Sequence, residues 1–241
     1  MKHYALIGRP LGHSASAAYF SAKFAAEAID ADYSLCELAD IAEVESLRGR
    51  LSGMNVTIPY KKAIIPYLAS ISEEARGVGA VNCVKFDSEG AMHGYNTDVE
   101  GIRATLSRFG DLRGRRALVL GSGGAAAAVL YVLRECGVEC CTVSRSAERG
   151  DVTYEQITPA TLQEYHIIVN ATPTGMYPHT DEAPQLPYEA LGEEHILFDL
   201  IYNPDPTEFL LRGAAQGAKT VGGSEMFRCQ AEASWRIWNR M

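Results

Sequence analysis

The chain contains 241 residues, of which 22 are Lys or Arg and 30 are Asp or Glu, so its formal net charge is −8. Apolar residues make up 47% and charged residues 22%, which is typical of globular proteins and excludes disordered, collagen-like and disulfide-scaffold chains. The acidic excess argues against binding along a nucleic-acid backbone, which requires a basic surface. The length suits one large domain or two small ones.

The six cysteines indicate neither a zinc site nor a disulfide framework, because none forms a C-x-x-C pair. We expect free thiols in a reducing compartment, and no metal. Gly8 and Pro10 interrupt the start before a signal segment could form, and the longest apolar run, 125–133, is far below the roughly 20 residues that cross a membrane. We therefore expect a cytoplasmic protein that binds neither membrane nor nucleic acid.

Strand-like and helical segments alternate in the first hundred residues, which predicts βαβ units and a mostly parallel sheet. Strands are predicted over 3–8, 32–38 and 52–59, and helices over 14–29, about 41–50 and from 59 to about 69. Two further strands flank a turn at 87–90 and predict a hairpin at an antiparallel edge of the sheet.

The second half begins with a helical pattern over 98–109, and Gly110 and Gly114 after it predict the end of that helix. A strand, a glycine-rich turn and a helix follow. Later strands are predicted over 140–145, 166–172, 195–202 and 219–223, with helices between them and a last helix over 225–239. We predict two α/β domains, 1–100 and 101–224, with the last helix packing back onto the first.

The glycine-rich turn is typical of a Rossmann dinucleotide-binding domain. Gly121, Gly123 and Ala126 match the pattern G-x-G-x-x-G/A between an apolar strand and an apolar helix. The first glycine permits the tight turn, the second admits a pyrophosphate, and the small third residue permits close packing. The helix N-terminus offers N–H groups to the anion.

The end of the next strand indicates the cofactor. It carries Ser144, Arg145 and Ser146, with Arg149 shortly after, and no acidic residue stands at the tip of the strand to repel a 2′-phosphate. The guanidinium of Arg145 can bind a phosphate through two hydrogen bonds. The pattern favours NADP over NAD, although two solvated surface arginines would look the same.

Polar clusters follow the strands of the first half, where open α/β sheets bind ligands. Ser14 and Ser16 open a helix and could bind a carboxylate, or could simply cap it. Asn55 and Thr57 share one face of their strand. Pro59 suits a first helical turn, which would also contain Lys61; a surface charge is the alternative.

Two more clusters contain Asn82 and the run from Asn96 to Asp98. Either Thr97 or Asp98 could cap the helix that follows. An amide, a hydroxyl and a carboxylate in succession suit a polyhydroxylated substrate, and capping explains only one of them.

Seven motifs together resemble the shikimate dehydrogenase family, over about residues 4–235. They are GRPLGHSAS, NVTIPYK, GAVN, NTD, GSGGA, NATPTGM and GG-x-x-M-x-x-x-Q. The resemblance implies a shikimate-binding catalytic domain followed by a Rossmann NADP-binding domain. It also implies reversible NADP-dependent reduction of 3-dehydroshikimate to shikimate, in the aromatic amino acid and chorismate pathway.

The resemblance also implies roles for individual residues. Lys61 and Asp98 match the catalytic lysine and its aspartate partner. The substrate-binding residues that it implies are Ser14, Ser16, Thr57, Lys61, Asn82, Asp98, Tyr202 and Gln230. The cofactor-binding residues that it implies are Gly121, Ser122, Gly123, Gly124, Ala125, Ser144, Arg145, Ser146, Arg149, Thr172, Gly223 and Met226.

The chain departs from the family pattern at several positions. Ser144 replaces a usual asparagine, Glu225 a common glycine, and Phe227 a leucine. An acidic side chain at Glu225 could alter cofactor affinity. The segment after Arg149 is shortened, which could shrink a helix beside the adenine site.

Two other functions fit the same motifs. One is a quinate/shikimate or amino-shikimate dehydrogenase that uses NAD or NADP. The other is a non-catalytic ligand-sensing module of the same fold, although Lys61 and Asp98 are both retained. Either a monomer or a homodimer is compatible with the sequence.

Overall fold

A computed structural model describes residues 1–12 and 14–239. The chain divides into two compact units, called unit 1 (Met1–Thr97 and Ala231–Met241) and unit 2 (Asp98–Gln230). The strands are β1 Lys2–Gly8, β2 Ala31–Glu37, β3 Gly53–Val56, β4 Ser70–Ile71, β5 Cys83–Phe86, β6 Met92–Tyr95, β7 Arg116–Leu120, β8 Glu139–Ser144, β9 Val152–Thr153, β10 Ile167–Asn170, β11 Ile196–Asp199 and β12 Lys219–Val221. The α-helices are α1 Ser16–Ala26, α2 Glu73–Val78, α3 Asp98–Leu106, α4 Gly124–Glu135, α5 Pro159–Glu164, α6 Glu208–Ala215 and α7 Ser224–Asn239.

Unit 1 is built on a sheet with the strand order β2-β1-β3-β5-β6-β4. β1 pairs in parallel with β2 and β3, and β4 pairs in parallel with β6. β5 runs antiparallel to both β3 and β6. The predicted mostly parallel sheet and the hairpin are confirmed. The hairpin was wrongly expected at the edge, because β4 pairs with β6 on its outer side.

One side of this sheet is closed by an aromatic cluster that anchors the end of α7. The ring of Trp238 stacks on Tyr4 at 4.7 Å between centroids and lies 5.3 Å from Phe20. Trp238 Nε1 donates to the carbonyl of Val84 at 3.0 Å. A Cβ added at Gly53 would overlap the Trp238 ring, so β3 leaves room for it. The last helix therefore completes the core of unit 1.

Three details of unit 1 differ from the sequence prediction. The helix near 41–50 is a 3-10 helix over Ile41–Leu47. The helix over 59–69 is wrong: the segment forms turns and a 3-10 helix over Ile65–Tyr67. Pro66 explains the difference, because it lacks an N–H and disfavours the α conformation at the preceding residue. α2 was missed, although its Ser72 cap and the left-handed Gly79 after it are ordinary helix signals.

Unit 2 is built on a sheet with the strand order β12-β11-β10-β7-β8-β9, in which every neighbouring pair is parallel. The central strands are buried on both faces, as in a doubly wound fold. The predicted helix between β10 and β11 is wrong, since 171–195 contains only a 3-10 helix over Tyr188–Ala190. Four prolines in that segment exclude a continuous helix.

Within 1–12 and 14–239, no helix is both long and apolar enough to span a membrane. The six cysteines are all free. Burial raises the pKa of the Cys83 thiol to about 12, so this thiol stays protonated and unreactive at neutral pH.

Candidate functional site

Unit 1 holds a buried polar network around Asn82. Its Nδ2 donates to Thr97 Oγ1 at 3.0 Å, and its Oδ1 accepts from the Thr97 backbone N–H at 2.6 Å. Both residues are almost fully buried, with exposures of 3% and 2%. Asn82 precedes β5 and Thr97 follows β6, so the hairpin sets their positions. The two side chains hold each other in one orientation.

Asn55 extends this network. Its Oδ1 accepts from the Tyr33 hydroxyl at 2.9 Å, and its Nδ2 donates to Ser234 Oγ at 2.9 Å and to the carbonyl of Asn82 at 3.1 Å. Ser234 Oγ also lies 3.2 Å from Thr97 Oγ1. Strands β2 and β3, the hairpin and α7 therefore converge on one connected polar group.

Ser14 and Ser16 lie at the N-terminus of α1. Ser14 Oγ accepts from the N–H of Ser16 at 3.2 Å. Ser16 is buried and Ser14 half-buried, and the capping residue Ala15 supplies no side-chain hydrogen bond to the helix. Two hydroxyls and the first N–H groups of an 11-residue helix are the donors that a carboxylate needs.

Lys61 lies in the run of turns that follows Thr57. The Thr57 N–H donates to the carbonyl of Ile7 at 2.9 Å, and the Lys61 carbonyl accepts from the N–H of Val81 at 2.7 Å. The Lys61 backbone is thereby fixed beside the residue that precedes Asn82. Lys61 is half-buried, whereas Lys62 is exposed. Of the two lysines, Lys61 is therefore the one that is partly shielded from solvent.

Asp98 is the first residue of α3, which leaves Thr97 in the capping position. Asp98 is 5% exposed, and its carboxylate lies in the first turn, where the helix dipole favours a negative charge. Asp98 opens unit 2, whereas Lys61 belongs to unit 1.

In unit 2, the glycine-rich turn fits a dinucleotide pyrophosphate. Gly121 has φ +109°, which L side chains rarely adopt, and an added Cβ would lie 3.1 Å from the Ala171 carbonyl oxygen. A Cβ at Gly123 would meet no described atom within 4 Å. α4 begins at Gly124, and no side-chain hydrogen bond caps its N-terminus. Ala126, in the first turn of α4, is fully buried. The first N–H groups of α4 can therefore face an anion. Ser122 is exposed and Ala125 half-buried in this turn.

The predicted 2′-phosphate residues lie in a compact turn after β8. Ser144 Oγ accepts from the N–H of Ser146 at 3.3 Å, and the Ser146 carbonyl accepts from the N–H of Arg149 at 3.0 Å. Arg145 and Arg149 are both exposed. The shortened segment leads directly into β9, which pairs with β8. The turn therefore presents two guanidinium groups at the end of β8.

Most of the other residues predicted to bind cofactor or substrate lie in the first half of α7, just before it or against it. The Gly223 N–H donates to the carbonyl of Ile201 at 2.9 Å, and a Cβ there would overlap the Leu200 carbonyl, so only glycine fits. The Tyr202 ring lies 4.6 Å from the Phe227 ring. Met226 is buried, and Gln230 is half-buried at the end of unit 2. Thr172 follows β10 and donates from Oγ1 to Asn170 Oδ1 at 2.6 Å.

The departure at Glu225 is accounted for by an ion pair. Glu225 lies 2.7 Å from Arg108 at the end of the helix that α3 starts, and both side chains are partly exposed. Because the carboxylate is paired and partly solvated, we expect Glu225→Gln to change stability by about 0–1 kcal/mol. We expect the KM for NADP to change less than about twofold, because partial exposure screens the charge. Steady-state kinetics and thermal unfolding check this; a larger rise in affinity would mean that the acid repels the cofactor.

Three polar residues of unit 1 lie outside the set of site residues that the resemblance implies: Asn96, Thr97 and Ser234. Asn96 is 4% exposed and donates from Nδ2 to the Ala80 carbonyl at 2.9 Å, while its buried Oδ1 accepts no hydrogen bond from the described residues. That oxygen is a candidate acceptor for a ligand hydroxyl. The N-T-D motif pointed to Asn96 and Thr97, whereas no local signal identified Ser234.

The chain is similar to known proteins over nearly its whole length. Residues 6–84 match the family model described as the shikimate dehydrogenase substrate binding domain. The chain is 37% identical over 257 residues to the shikimate dehydrogenase (NADP(+)) of Shouchella clausii, and the alignment covers 98% of this chain and 92% of that protein.

Solved structures are similar over the same length. Shikimate 5-dehydrogenase from Thermus thermophilus, solved with NADP(H) and shikimate, has a TM-score of 0.87 and 32% identity, covering 99% of this chain and 94% of that one. Quinate dehydrogenase from Corynebacterium glutamicum, solved with NAD, has a TM-score of 0.88 and 26% identity, covering 99% and 93%. The resemblance and the fold class predicted from the sequence are confirmed.

Proposed function

The chain belongs to the shikimate dehydrogenase family, and we propose that it catalyses the reversible, NADP-dependent reduction of 3-dehydroshikimate to shikimate. The observation that carries the proposal is the near-complete alignment with an NADP-dependent relative at 37% identity. Unit 1 is the proposed shikimate-binding catalytic domain, and unit 2 the proposed NADP-binding domain.

The residues of unit 2 fit NADP. The turn from Gly121 to Ala125, with its uncapped helix N-terminus, would hold the pyrophosphate. Arg145 and Arg149, with Ser144 and Ser146, would hold the 2′-phosphate. Gly223 and Met226 would border the nicotinamide, and Thr172 would contact the cofactor beside the glycine-rich turn. When bound, NADPH supplies the hydride that reduces the substrate carbonyl.

We propose Lys61 as the proton donor in reduction and the proton acceptor in oxidation. An alkoxide develops on the substrate oxygen as the carbonyl is reduced, and a positioned ammonium group can protonate it. The half-buried position of Lys61 and its fixed backbone support this assignment. Asp98, a nearly buried carboxylate, is the proposed catalytic partner of this lysine.

The remaining unit 1 residues are proposed to orient the substrate. Ser14 and Ser16 would bind the shikimate carboxylate at the start of α1. Thr57 and Asn82 would contact its hydroxyl groups, and Tyr202 and Gln230 are further proposed substrate-binding residues. Because Asn82 is locked by Thr97, little side-chain freedom would be lost on binding, which favours a single reactive orientation.

The proposal also covers oligomeric state, cellular location and nucleic-acid binding. We propose a monomer or homodimer that works in the cytoplasm and binds no nucleic acid. The free cysteines and the net charge of −8 support the reducing location and the lack of nucleic-acid binding.

The test is the rate of NADPH formation with shikimate, with quinate and without substrate, repeated with NAD. We expect the highest kcat/KM with shikimate and NADP. Similarity to the NAD-bound quinate dehydrogenase makes quinate with NAD the specific alternative. Faster oxidation of quinate than of shikimate would support that alternative, and no oxidation of either would contradict the proposal.

Replacing Arg145 tests the choice of cofactor. We expect Arg145→Ala to raise the KM for NADP about 10- to 100-fold, because it removes a charged hydrogen-bond donor to the 2′-phosphate. The KM for NAD should remain within about twofold, since NAD has no such phosphate. Arg113→Ala is the matched control, an exposed arginine paired with Asp111. An unchanged NADP/NAD ratio in Arg145→Ala would contradict the assignment.

A further inference from the structure

Asp199, at the end of β11, is a fully buried carboxylate that the proposed reaction does not use. It accepts hydrogen bonds from three different segments. The Thr207 hydroxyl donates at 2.7 Å, the Ile201 N–H at 3.0 Å, and Asn170 Nδ2 lies 3.1 Å from each carboxylate oxygen. The carboxylate therefore joins the ends of β10 and β11 to the start of α6.

Asn170 connects the Asp199 carboxylate to the loop that follows β10. Its Oδ1 accepts from both the N–H and the hydroxyl of Thr172, at 3.1 and 2.6 Å, and its Nδ2 also donates to the Thr174 carbonyl at 3.2 Å. Asn170 is itself fully buried. An amide has two donors and one acceptor oxygen, and all are engaged here, so the amide cannot turn over without losing bonds on both sides.

The loop held by Asn170 packs against the glycine-rich turn. A Cβ added at Gly121 would lie 3.1 Å from both the carbonyl oxygen of Ala171 and Cγ2 of Thr172. This close packing therefore couples the position of Thr172 to the backbone conformation of the glycine-rich turn. A hydrogen-bond chain connects the buried carboxylate, through Asn170, to residues that touch the proposed pyrophosphate turn.

We infer that Asp199 is a positioning residue for the dinucleotide: it orients Asn170, and through it fixes the Thr172 loop beside the glycine-rich turn. The inference rests on the proposed assignment of NADP to unit 2. A buried carboxylate is costly unless it is fully hydrogen-bonded, and simple packing would be served as well by an apolar side chain. The four hydrogen-bond contacts of Asp199 instead fix one conformation of the loop that follows β10.

The direct test is NADP binding measured by isothermal titration calorimetry without substrate. In Asp199→Asn, an amide NH₂ replaces an acceptor oxygen opposite the Asn170 or Thr207 donor. We expect the Kd for NADP to rise about tenfold, as for the loss of one charged hydrogen bond. In kinetics, the KM for NADP should rise similarly, while kcat at saturating NADP changes less than about threefold.

The exchanged pair Asn170→Asp/Asp199→Asn is the matched control. It again places one donor amide opposite one carboxylate but loses the bond to the Thr174 carbonyl, so we expect it to recover only part of the affinity that Asp199→Asn loses. Thr207→Val keeps the side-chain shape and removes one donor to Asp199 together with the side-chain cap of α6, and it serves as a second variant should Asp199→Asn not fold. We expect it to weaken NADP binding in the same direction.

The pH dependence gives a readout that packing alone would not change. Burial, aided by Asp205, raises the pKa of Asp199 from 3.8 to about 6, and the Tyr188 phenol, over whose ring the Arg212 guanidinium lies, interacts with this carboxylate electrostatically. Below pH 6 the protonated carboxyl loses an acceptor site, so the Kd for NADP should rise more steeply in the wild type than in Asp199→Asn. Titration of the cofactor's own 2′-phosphate is common to both and cancels in this comparison.

This loss of affinity is distinguishable from acid unfolding. A carboxyl group whose pKa is higher in the folded chain binds its proton more tightly there, so its protonation favours folding, and its contribution to stability falls as pH rises through 6. An NADP Kd for Asp199→Asn within twofold of the wild type would overturn the inference. A wild type that binds NADP but does not oxidise shikimate would overturn only the proposed reaction.

Discussion

Replacing Lys61 with alanine is expected to lower kcat for shikimate oxidation by about 10²- to 10⁴-fold, because general acid–base catalysis by a positioned side chain contributes that much. The substrate carboxylate and hydroxyl contacts remain, so the Kd for shikimate should change less than about threefold. Stopped-flow single turnovers with saturating NADP, together with equilibrium binding of shikimate, measure the two quantities separately.

Lys62→Ala is the natural control for this experiment. Lys62 is adjacent in sequence, has the same charge and is exposed, so its removal changes the net charge equally without removing the proposed acid. We expect its kcat to stay within about twofold of the wild type, as for an ordinary surface substitution. Equal losses in the two variants would indicate a general electrostatic effect, and near-full activity of Lys61→Ala would contradict the proton-transfer assignment.

The largest loss of stability is expected from Trp238→Ala. Trp238 is 4% exposed, stacks on Tyr4 and donates a hydrogen bond to the carbonyl of Val84. Its truncation should lower the free energy of unfolding of unit 1 by about 3–5 kcal/mol, because a large cavity opens beside β3. Trp235 is then the only tryptophan left, so its fluorescence during urea unfolding reports on unit 1 alone.

Trp238→Phe separates the packing of this residue from its hydrogen bond. Phenylalanine keeps most of the ring contact with Tyr4 and loses the bond to Val84, so the expected loss is about 1–3 kcal/mol. If alanine and phenylalanine destabilise unit 1 equally, the hydrogen bond dominates. If neither shifts the urea midpoint, the last helix does not contribute to the core of unit 1.

The parts of the fold and site that the sequence predicts correctly are those with local signals. Gly121 lies in a strand–turn–helix pattern whose requirements fall within a few residues, so the turn and its parallel sheet were both predicted. The alternation of strand-like and helical segments in 1–100 likewise predicts the mostly parallel sheet of unit 1. The helix predicted around Lys61 is wrong: Pro59 favours a first helical turn, whereas Pro66 opposes an α-helix that continues through it.

The missed features depend on residues far apart in the chain. Ser234 joins Asn55 across 179 positions, and Asp199 joins Asn170 across 29, so neither pair follows from local spacing. The hairpin was expected at a sheet edge because β4 spans only two residues and leaves no alternating pattern. Side-chain networks and short strands are therefore where tertiary structure adds most to the sequence.

The division of α7 between the units has a consequence for synthesis on the ribosome. Unit 2 is continuous in the chain and has all its residues once Gln230 has been made, whereas unit 1 lacks Ser234 and Trp238 until later. Domains that are continuous can fold as they emerge, in order from the N-terminus. For unit 1 that order does not hold: its strands are made first, yet its core lacks Trp238 until the last helix is available, so unit 1 gains no head start over unit 2 in reaching its native packing.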